Sequence, residues 1–372
     1  MDFTRGQRIC LSMIVKNEGA VIRRCLESVR PWIQAWAISD TGSTDDTVAI
    51  VWDVLRETPG MVYHDPWVDF GTNRSKALEY AGSTGCDYTL SIDADEVLVV
   101  EDALALTTLT ADAYRVEMRH DDGLSWPRVN LLRSALPWRY EGRMHEYAVC
   151  DRPISEHLIA GLHMWTDGKG ARGVDPHKAE RDLAIMLDCV AREPDNARYW
   201  FYLGQSYEVA KMPSEALDAY SRRVDMGGSI EERWYAEYRS AQLLLLQGLW
   251  NLARLHYLDA YSIDPRRCEP LYWLAQGLNQ RGHDELAHVF MERVALLQKP
   301  IGAMFVEDQI WDAMRWVLYC TTANNTGDHE AASEIAQRLL TSGRCPDAHR
   351  EMIEAMASGT PAPDDQLASV SS

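Results

Sequence analysis

The sequence SDTGSTDDT at residues 39–47 and the sequence SIDADE at residues 91–96 decide the predicted fold. Each places acidic side chains directly after a short apolar run of the kind that forms a buried strand. Where strands and helices alternate along a chain, the carboxyl ends of the parallel strands open into one crevice, so acids from both stretches should converge there. An Asp-x-Asp pair in that crevice, here Asp93 and Asp95, is a suitable seat for Mg²⁺ or Mn²⁺ carrying a phosphate-bearing substrate.

Strand and helix patterns alternate around these two stretches. Strands are predicted at residues 9–15, 36–39, 61–64 and 88–92, and the helices between them at residues 21–29, 44–55 and 73–80. This alternation favours an α/β domain with a mostly parallel, Rossmann-like sheet. Further strands are predicted at residues 114–120, 127–133 and 138–147. The Gly-rich segment TDGKGARGVDP that follows, residues 166–176, indicates a mobile loop.

The chain is helical from residue 177 onward, and this half repeats itself. The spacing of a tetratricopeptide repeat, a unit of about 34 residues, is followed by Trp200, Leu203, Gly204, Tyr207, Ala216 and Tyr220. A turn glycine followed by a small alanine recurs at residues 248–253, 282–287 and 327–332. We therefore predict an α/β domain at residues 1–176, an all-α repeat array at residues 177–350 and a disordered Pro/Ser-rich tail at residues 357–372.

Composition restricts the compartment and the partners. The 372 residues contain eight cysteines, scattered singly without a C-x-x-C pair, which favours a reducing cytoplasm over a disulfide framework. No apolar run approaches the ~20 residues that span a bilayer, so no membrane span is expected. The net charge of −19 repels a phosphate backbone and therefore disfavours DNA as a partner without ruling it out.

Four other residues carry two interpretations each on residue chemistry alone. Asp40 either caps the turn that follows it or accepts a hydrogen bond from a nucleobase or ribose. Arg74 lies on a short predicted helix and faces either solvent or a phosphate. Glu146 is either a polar strand residue beside His145 or a general base for an acceptor hydroxyl. His163 either is a satisfied polar residue or completes a metal shell through an imidazole nitrogen.

Five motifs together resemble the family 2 glycosyltransferases of the GT-A fold. They are LSMIVKNEG, SDTGSTDDT, DFGTNRSKALEYA, LSIDADE and YEGRMHEY, and they occur in the expected order within residues 8–180. The resemblance is greatest to bacterial and phage glycosyltransferases with C-terminal tetratricopeptide repeats, including the peptide S-glycosyltransferase type. It implies a nucleotide-sugar donor, usually UDP-linked, and a divalent metal, often Mn²⁺.

The resemblance assigns the nucleotide side of the site to the end of the first strand and the turn after it, namely Ile14, Val15, Asn17 and Glu18. It implies that Asp40 faces the base and that Arg74 approaches the uracil or the diphosphate. Lys178 resembles one member of a basic pair that follows the nucleotide-binding loop.

The same resemblance assigns the metal and acceptor side. It implies that Asp93 lies near the ribose and the metal, that Asp95 ligates the metal, and that His163 supports the diphosphate or the metal. Glu146, next to His145, falls where inverting relatives place acceptor-site acids. The implied mechanism is direct displacement with inversion, in which Glu146 deprotonates the acceptor.

Several alternatives stay open at this stage. A repeat array builds a concave groove, which makes a protein or peptide hydroxyl or thiol the leading acceptor. A saccharide or lipid-linked glycan is second, and a hydroxymethylated DNA base is third; if the chain is phage-encoded, the expected compartment is the host cytoplasm. The array could also serve for homodimerisation. An inactive nucleotide-sugar-binding scaffold is the rival class, and a nucleotidyltransferase is disfavoured because MIVKNEG lacks a Gly-rich loop with basic residues.

Overall fold

The apolar runs of the N-terminal half form the strands of one mixed sheet in the computed structural model, which describes residues 6–121 and 125–359. The strands are β1 (Ile9–Val15), β2 (Ala35–Asp40), β3 (Gly60–His64), β4 (Tyr88–Ser91), β5 (Glu96–Val100), β6 (Ala113–His120), β7 (Ser125–Arg133), β8 (Trp138–Glu141), β9 (Tyr147–Cys150) and β10 (Glu156–Thr166). Within the described ranges, eight strands pair in the order β3-β2-β1-β4-β7-β6-β10-β5, and β8 pairs with β9 alone. The strands β1 to β4 are parallel to their neighbours in this group, whereas β7 is antiparallel to β4 and β5 is antiparallel to β10.

Four helices accompany these strands: α1 (Ile22–Val29), α2 (Thr47–Leu55), α3 (Phe70–Gly82) and α4 (Lys178–Arg192). In α1 the apolar residues recur at helical spacing, so that one face is buried in the core around β1. The strand β1 is almost completely buried, as expected for a central parallel strand covered on both faces. The parallel strands therefore end at one edge of the sheet, where β2 finishes with Asp40 and β4 is followed by Asp93.

The structure corrects three local predictions. The predicted strand at residues 138–147 is wrong, because Gly142 (φ 103°) and His145 (φ 55°) turn the chain back between β8 and β9. The helix α3 begins at Phe70 rather than residue 73, since the Asp69 side chain accepts a hydrogen bond from the Thr72 N–H at 2.7 Å and caps it. The strands β5 and β10 were not predicted.

The C-terminal half is built from consecutive helices, as predicted. Those described are α5 (Ala197–Val209), α6 (Pro213–Asp225), α7 (Ile230–Leu246), α8 (Trp250–Ile263), α9 (Glu269–Asn279), α10 (Asp284–Ala295), α11 (Arg315–Asn325), α12 (His329–Thr341) and α13 (Arg350–Ala357). The glycines Gly248, Gly282 and Gly327 separate α7 from α8, α9 from α10 and α11 from α12, and each has a positive φ of 73°, 73° and 84°, respectively. A Cβ on Gly204 would lie 2.5 Å from the Tyr220 ring, so only glycine lets α5 and α6 approach this closely. These features confirm the predicted repeat of paired helices.

The chain divides into two compact units, Met1–Arg192 and Glu193–Ser372. The division falls after α4 rather than at the predicted 176/177 boundary, because α4 is tied to the first unit by the ion pairs Arg143–Asp188 and Arg172–Asp182. The helix α13 extends to Ala357, where the predicted tail begins, and residues 360–372 lie outside the described residues. None of the helices that the structure describes has both the length and the apolar character needed to cross a membrane.

Candidate active site

The Asp-x-Asp motif forms a tight turn between β4 and β5 that its own glutamate closes. The Asp93 N–H donates to Oε2 of Glu96 at 2.9 Å, and the Glu96 N–H donates back to the Asp93 carbonyl at 3.1 Å. The Glu96 side chain is only 5% exposed. Sequence analysis missed this role, in which the Glu96 side chain accepts from the backbone N–H three residues before it, as the glutamate of a capping box does.

Side chains of the helix α1 contact the backbone carbonyl groups of the same turn. Sγ of Cys25 lies 3.3 Å from the Asp93 carbonyl oxygen, and Nη2 of Arg24 donates to the Asp95 carbonyl at 3.0 Å. These contacts leave the carboxylates of Asp93 and Asp95 available for partners elsewhere. The turn is therefore a fixed platform for two acidic side chains.

Two arginines neutralise the first of these acids. Nη2 of Arg74 lies 2.5 Å from Oδ1 of Asp93, and Nη1 of Arg128 lies 3.4 Å from Oδ2. Burial acts to raise the pKa of Asp93, but the positive charges of Arg74 and Arg128 outweigh it and the pKa falls below its usual value. Arg74 also pairs through Nε with Glu146 at 2.5 Å. Asp93 is therefore an ionised carboxylate held in a charge network, and Arg128 is a site residue that sequence analysis did not find.

The pKa of the second acid, Asp95, shifts in the opposite direction from that of Asp93. Burial, followed by the negative charge of Asp93, raises its pKa. Burial also raises the pKa of Glu18, and Asp95, Asp93 and Asp45 add to this rise. Among the ion pairs of the described residues, none joins Asp95 or Glu18 to a lysine or arginine. An added cation would therefore stabilise the ionised form of both carboxylates.

The side chains around the acidic turn provide only part of the ligands that a divalent metal needs. Within residues 6–121 and 125–359, no three His, Cys, Asp or Glu side chains cluster in a way that could hold a metal by themselves. Mg²⁺ is, however, often held by one or two carboxylates together with substrate phosphates. Asp95 provides such a carboxylate, because no ion pair of the described residues joins it to a lysine or arginine, and burial together with Asp93 raises its pKa. The residues present therefore fit a metal that a phosphate-bearing ligand helps to hold.

The end of β1 is joined to the loop after β2 by side-chain hydrogen bonds. Oδ1 of Asn17 accepts from the Thr44 N–H at 2.8 Å, and the Glu18 N–H donates to Oγ1 of Thr47 at 2.8 Å. Asn17 has a φ of 58°, a conformation that costs energy for a residue other than glycine and concentrates at functional sites. The structure thus brings Asn17 and Glu18, which follow Ile14 and Val15 at the end of β1, next to the acidic loop, as the sequence predicts for neighbouring strand ends.

Asp40 stabilises the turn after β2. Its Oδ1 accepts from the Ser43 N–H at 3.0 Å, and its Oδ2 lies 3.3 Å from Nδ1 of His64. The side chain is 5% exposed. The structure shows the turn-capping role directly, and contact with a nucleobase stays a prediction.

The turn between β8 and β9 brings Glu146 to the same charge network. This turn lies against α3, where a Cβ on Gly71 would come within 2.4 Å of the Gly142 carbonyl oxygen, so α3 requires glycine there. His145 is exposed, whereas the Glu146 side chain is 12% exposed and paired with Arg74. The Glu146 carboxylate is therefore held by the same guanidinium that contacts Asp93.

The structure does not bring His163 or Lys178 to the acidic turn. Thr166 pairs with Glu96, whereas His163 pairs with Val99 further along β5. Nδ1 of His163 lies 3.1 Å from Glu101, and burial lowers the pKa of the imidazole, with a further contribution from Arg119. Lys178 is half exposed and pairs with Asp182 at 3.0 Å. The predicted metal role of His163 and nucleotide role of Lys178 are therefore unsupported by their contacts.

The Gly-rich segment at residues 166–176 is anchored over the acidic turn rather than free. Its backbone N–H groups donate to the two unpaired carboxylates, Gly170 to Asp95 at 3.2 Å and Ala171 to Glu18 at 2.9 Å. A Cβ on Gly170 would lie 3.0 Å from the Asp95 carboxylate, so the glycine permits this approach. Arg24 grips Asp167 with hydrogen bonds of 2.7 and 2.5 Å and holds the pKa of that acid well below its usual value.

We predict that Arg24→Ala loosens this segment. The loss of two charged hydrogen bonds to Asp167 should raise the open population of the loop about tenfold. Limited trypsin digestion followed by mass spectrometry should then show faster cleavage after Lys169 and Arg172. Arg23→Ala, next to it on α1 and paired only at the surface, is the control. Equal cleavage rates in the two variants would show that Arg24 does not secure the loop.

Comparison with known proteins agrees with this geometry. Residues 10–108, which span β1 to β5 and therefore the whole acidic turn, match the family model described as Glycosyl transferase family 2. Residues 10–108 are therefore similar to the family 2 glycosyltransferase domain. This domain, with the GT-A type of mixed sheet, is followed by the helical repeats of the second unit.

Individual relatives match parts of the chain. The SPbeta prophage-derived glycosyltransferase SunS of Bacillus subtilis (strain 168) is 22% identical over 229 residues, which cover 58% of this chain and 53% of SunS. The chain thus spans about half the length of this curated relative. A TPR repeat-containing protein of Synechococcus elongatus is 38% identical over 95 residues, or 25% of this chain and 22% of that protein. Among solved structures, that of YrrB, a TPR protein with an unusual peptide-binding site, covers 49% of this chain and 84% of YrrB, with 18% identity and a TM-score of 0.35.

Proposed function

We propose that the protein transfers a sugar from a nucleotide-diphosphate sugar, with UDP as the nucleotide, to a side chain of a protein or peptide. The observation that carries this proposal is the rigid Asp93–Glu96 turn at a strand end of a family 2 domain. This turn presents one carboxylate, Asp95, whose pKa is raised by burial and by Asp93 and whose ionised form added positive charge would stabilise. A metal ion with the phosphates of a donor would supply that charge.

Different residues of the chain would contact different parts of the nucleotide-sugar donor. Asp95 would hold Mn²⁺ or Mg²⁺ together with the diphosphate, and the bound ion would stabilise the negative charge of the departing group. The fixed turn at Asn17 and Glu18 would line the nucleotide, and Asp40 would support the base through the turn that it caps. The segment at residues 166–176 would cover the site, since it already bonds to Asp95 and Glu18.

We propose that the main role of Glu146 is to position Arg74, and not to serve as the general base. The Arg74 guanidinium is buried between Glu146 and Asp93, and it needs both carboxylates to be held in one place. A fixed guanidinium at this point is suited to contact a diphosphate. The inverting displacement that the family suggests would then depend on the orientation of Arg74 as well as on a proton acceptor.

We predict that Glu146→Gln weakens donor binding as well as turnover. If Glu146 orients Arg74, the Kd of UDP measured by calorimetry should rise about tenfold, because one charged hydrogen bond is lost. Glu141→Gln, on the exposed face of the same hairpin, is the matched control. A large loss of kcat with an unchanged UDP affinity would instead identify Glu146 as the general base. NMR of the product would report whether the anomeric centre is inverted.

The second unit supports a protein or peptide acceptor. Stacked helix pairs of this kind form extended concave surfaces suited to long ligands. The net charge of −19 opposes a nucleic-acid acceptor.

The function is tested by incubating the purified chain with a panel of nucleotide sugars and Mn²⁺ and measuring release of the nucleoside diphosphate. Mass spectrometry of proteins, glycans and DNA from the expressing cells would then locate the transferred sugar. Transfer to protein supports the proposal. Transfer only to glycan or DNA would overturn the acceptor class, and absence of any turnover would leave a nucleotide-sugar-binding scaffold.

A further inference from the structure

Arg128 makes one short bond and two long contacts with its neighbours, the contact of Nε with Asn130 being 3.4 Å. It projects from β7, and its Nη2 donates to the buried Glu96 carboxylate at 2.6 Å. Its Nη1 reaches Asp93 only at 3.4 Å, and its side chain is 34% exposed. The bond to Glu96 therefore fixes the arginine beside the turn, whereas the contact with Asp93 is long and open to exchange.

The other arginine at Asp93 lacks this freedom. Arg74 is bound at both ends, through Nε to Glu146 and through Nη2 to Asp93, each at 2.5 Å, and its side chain is only 13% exposed. With both arginines in place, Asp93 already carries two cationic partners. A third cation placed beside it is opposed by their charges, because like charges at such distances repel strongly in a partly buried site.

A donor diphosphate changes this balance. Its negatively charged oxygens accept strong charge-assisted hydrogen bonds from guanidinium N–H groups. Nη1 of Arg128 contacts Asp93 only at 3.4 Å, so it would turn to such a ligand while Nη2 keeps its 2.6 Å bond to Glu96. This movement would remove one positive charge from Asp93 when the phosphates arrive.

We propose that Arg128 is a positioning residue that makes metal binding dependent on the donor: it neutralises Asp93 in the ligand-free protein and transfers its free end to the diphosphate. This inference rests on the proposed function. In this arrangement the protein alone binds the metal weakly, and the nucleoside diphosphate and the metal bind cooperatively. Cooperativity of this kind is reciprocal, since each ligand must raise the affinity of the other by the same factor.

The test measures that factor directly. The affinity for Mn²⁺ is obtained from the electron paramagnetic resonance signal of the free ion, in the absence and in the presence of saturating UDP, for the wild type and for Arg128→Gln. The wild type should bind Mn²⁺ much more tightly with UDP. In Arg128→Gln, Mn²⁺ should bind more tightly without UDP but not with it, so the coupling factor should fall about tenfold.

Two results would overturn the proposal. If Arg128→Gln raises both Mn²⁺ affinities equally, Arg128 is a fixed counter-charge that does not move to the diphosphate. If both affinities fall, Arg128 serves only to hold the turn through Glu96. Arg119→Gln, which removes an exposed strand arginine paired with Glu117, is the control and should leave the coupling unchanged.

A second variant protects the test against misfolding. Arg128→Lys keeps the positive charge near Glu96 but lacks the fork that would reach a second partner, so the coupling factor should again fall. Circular dichroism melts report whether each variant is folded. If the wild type itself binds neither UDP nor GDP with Mn²⁺, the proposed function fails; if it binds them and Arg128→Lys leaves the coupling unchanged, only the role of Arg128 fails.

Discussion

Asp95→Asn is expected to lower the rate of sugar transfer by about 10²–10³-fold. Asp95 is the carboxylate of the acidic turn that lacks an ion-paired partner among the described residues, and burial with the neighbouring Asp93 raises its pKa. The amide keeps the shape of the side chain and can still accept from the Gly170 N–H, so the turn should stay intact. Steady-state assays of nucleoside diphosphate release with Mn²⁺ would measure the loss.

Controls separate this effect from a general change of charge. Asp53→Asn removes an exposed aspartate on α2 that pairs with Arg23 and should leave the rate unchanged. The Mn²⁺-dependent part of UDP binding should disappear in Asp95→Asn, while its thermal stability stays equal to or above that of the wild type, because a buried charge has been removed. An Asp95→Asn protein with a normal rate would exclude this carboxylate as the metal ligand and with it the proposed mechanism.

Arg74→Ala is expected to produce the largest loss of stability. Its guanidinium lies between Asp93 and Glu146, and its removal leaves Glu146 without an ion-paired cation among the described residues and Asp93 with only the longer contact to Arg128. Loss of one partner from a buried ion pair costs about 3–5 kcal/mol of unfolding free energy. For a unit of this size the midpoint of thermal unfolding should fall by roughly 10 °C.

The stability prediction can be checked by urea and thermal unfolding followed by circular dichroism. Arg23→Ala removes an arginine whose partner is exposed and should cost less than about 1 kcal/mol. The double variant Arg74→Ala/Glu146→Gln should recover part of the loss, since it removes one of the stranded charges. A single-variant effect below 1 kcal/mol would mean that solvent or local rearrangement compensates the two carboxylates, and the network would not be a structural element.

The sequence predicts the acidic platform well because its signals are local. A short apolar run followed by acids defines the ends of β2 and β4, and parallel strands bring those ends to one edge. The turn residues Asn17 and Glu18 follow from the same rule at the end of β1. The helical repeats are equally local, since the spacing of turn glycines and small alanines within about 34 residues encodes them.

The partners of the acids could not be predicted in the same way. Arg128 reaches Asp93 because β7 runs antiparallel to β4, and Arg74 reaches Glu146 because the turn between β8 and β9 packs on α3. Because one continuous strand was predicted at residues 138–147, the turn between β8 and β9 was not predicted. The role of Glu96 was visible as a D-x-x-E spacing, but the alternative of an exposed acidic loop looks the same in sequence.

The amino-acid sequence by itself determined an α/β domain with acids at its strand ends, followed by paired helices, because apolar period and turn chemistry act over a few residues. Only the tertiary structure decided the charge state of each acid. Asp93 is neutralised by two arginines, the pKa of Asp95 is raised by burial and by Asp93, and His163 contacts Glu101. The pKa of a side chain depends on which charges surround it in space, and strand register sets those neighbours over distances that local sequence does not encode.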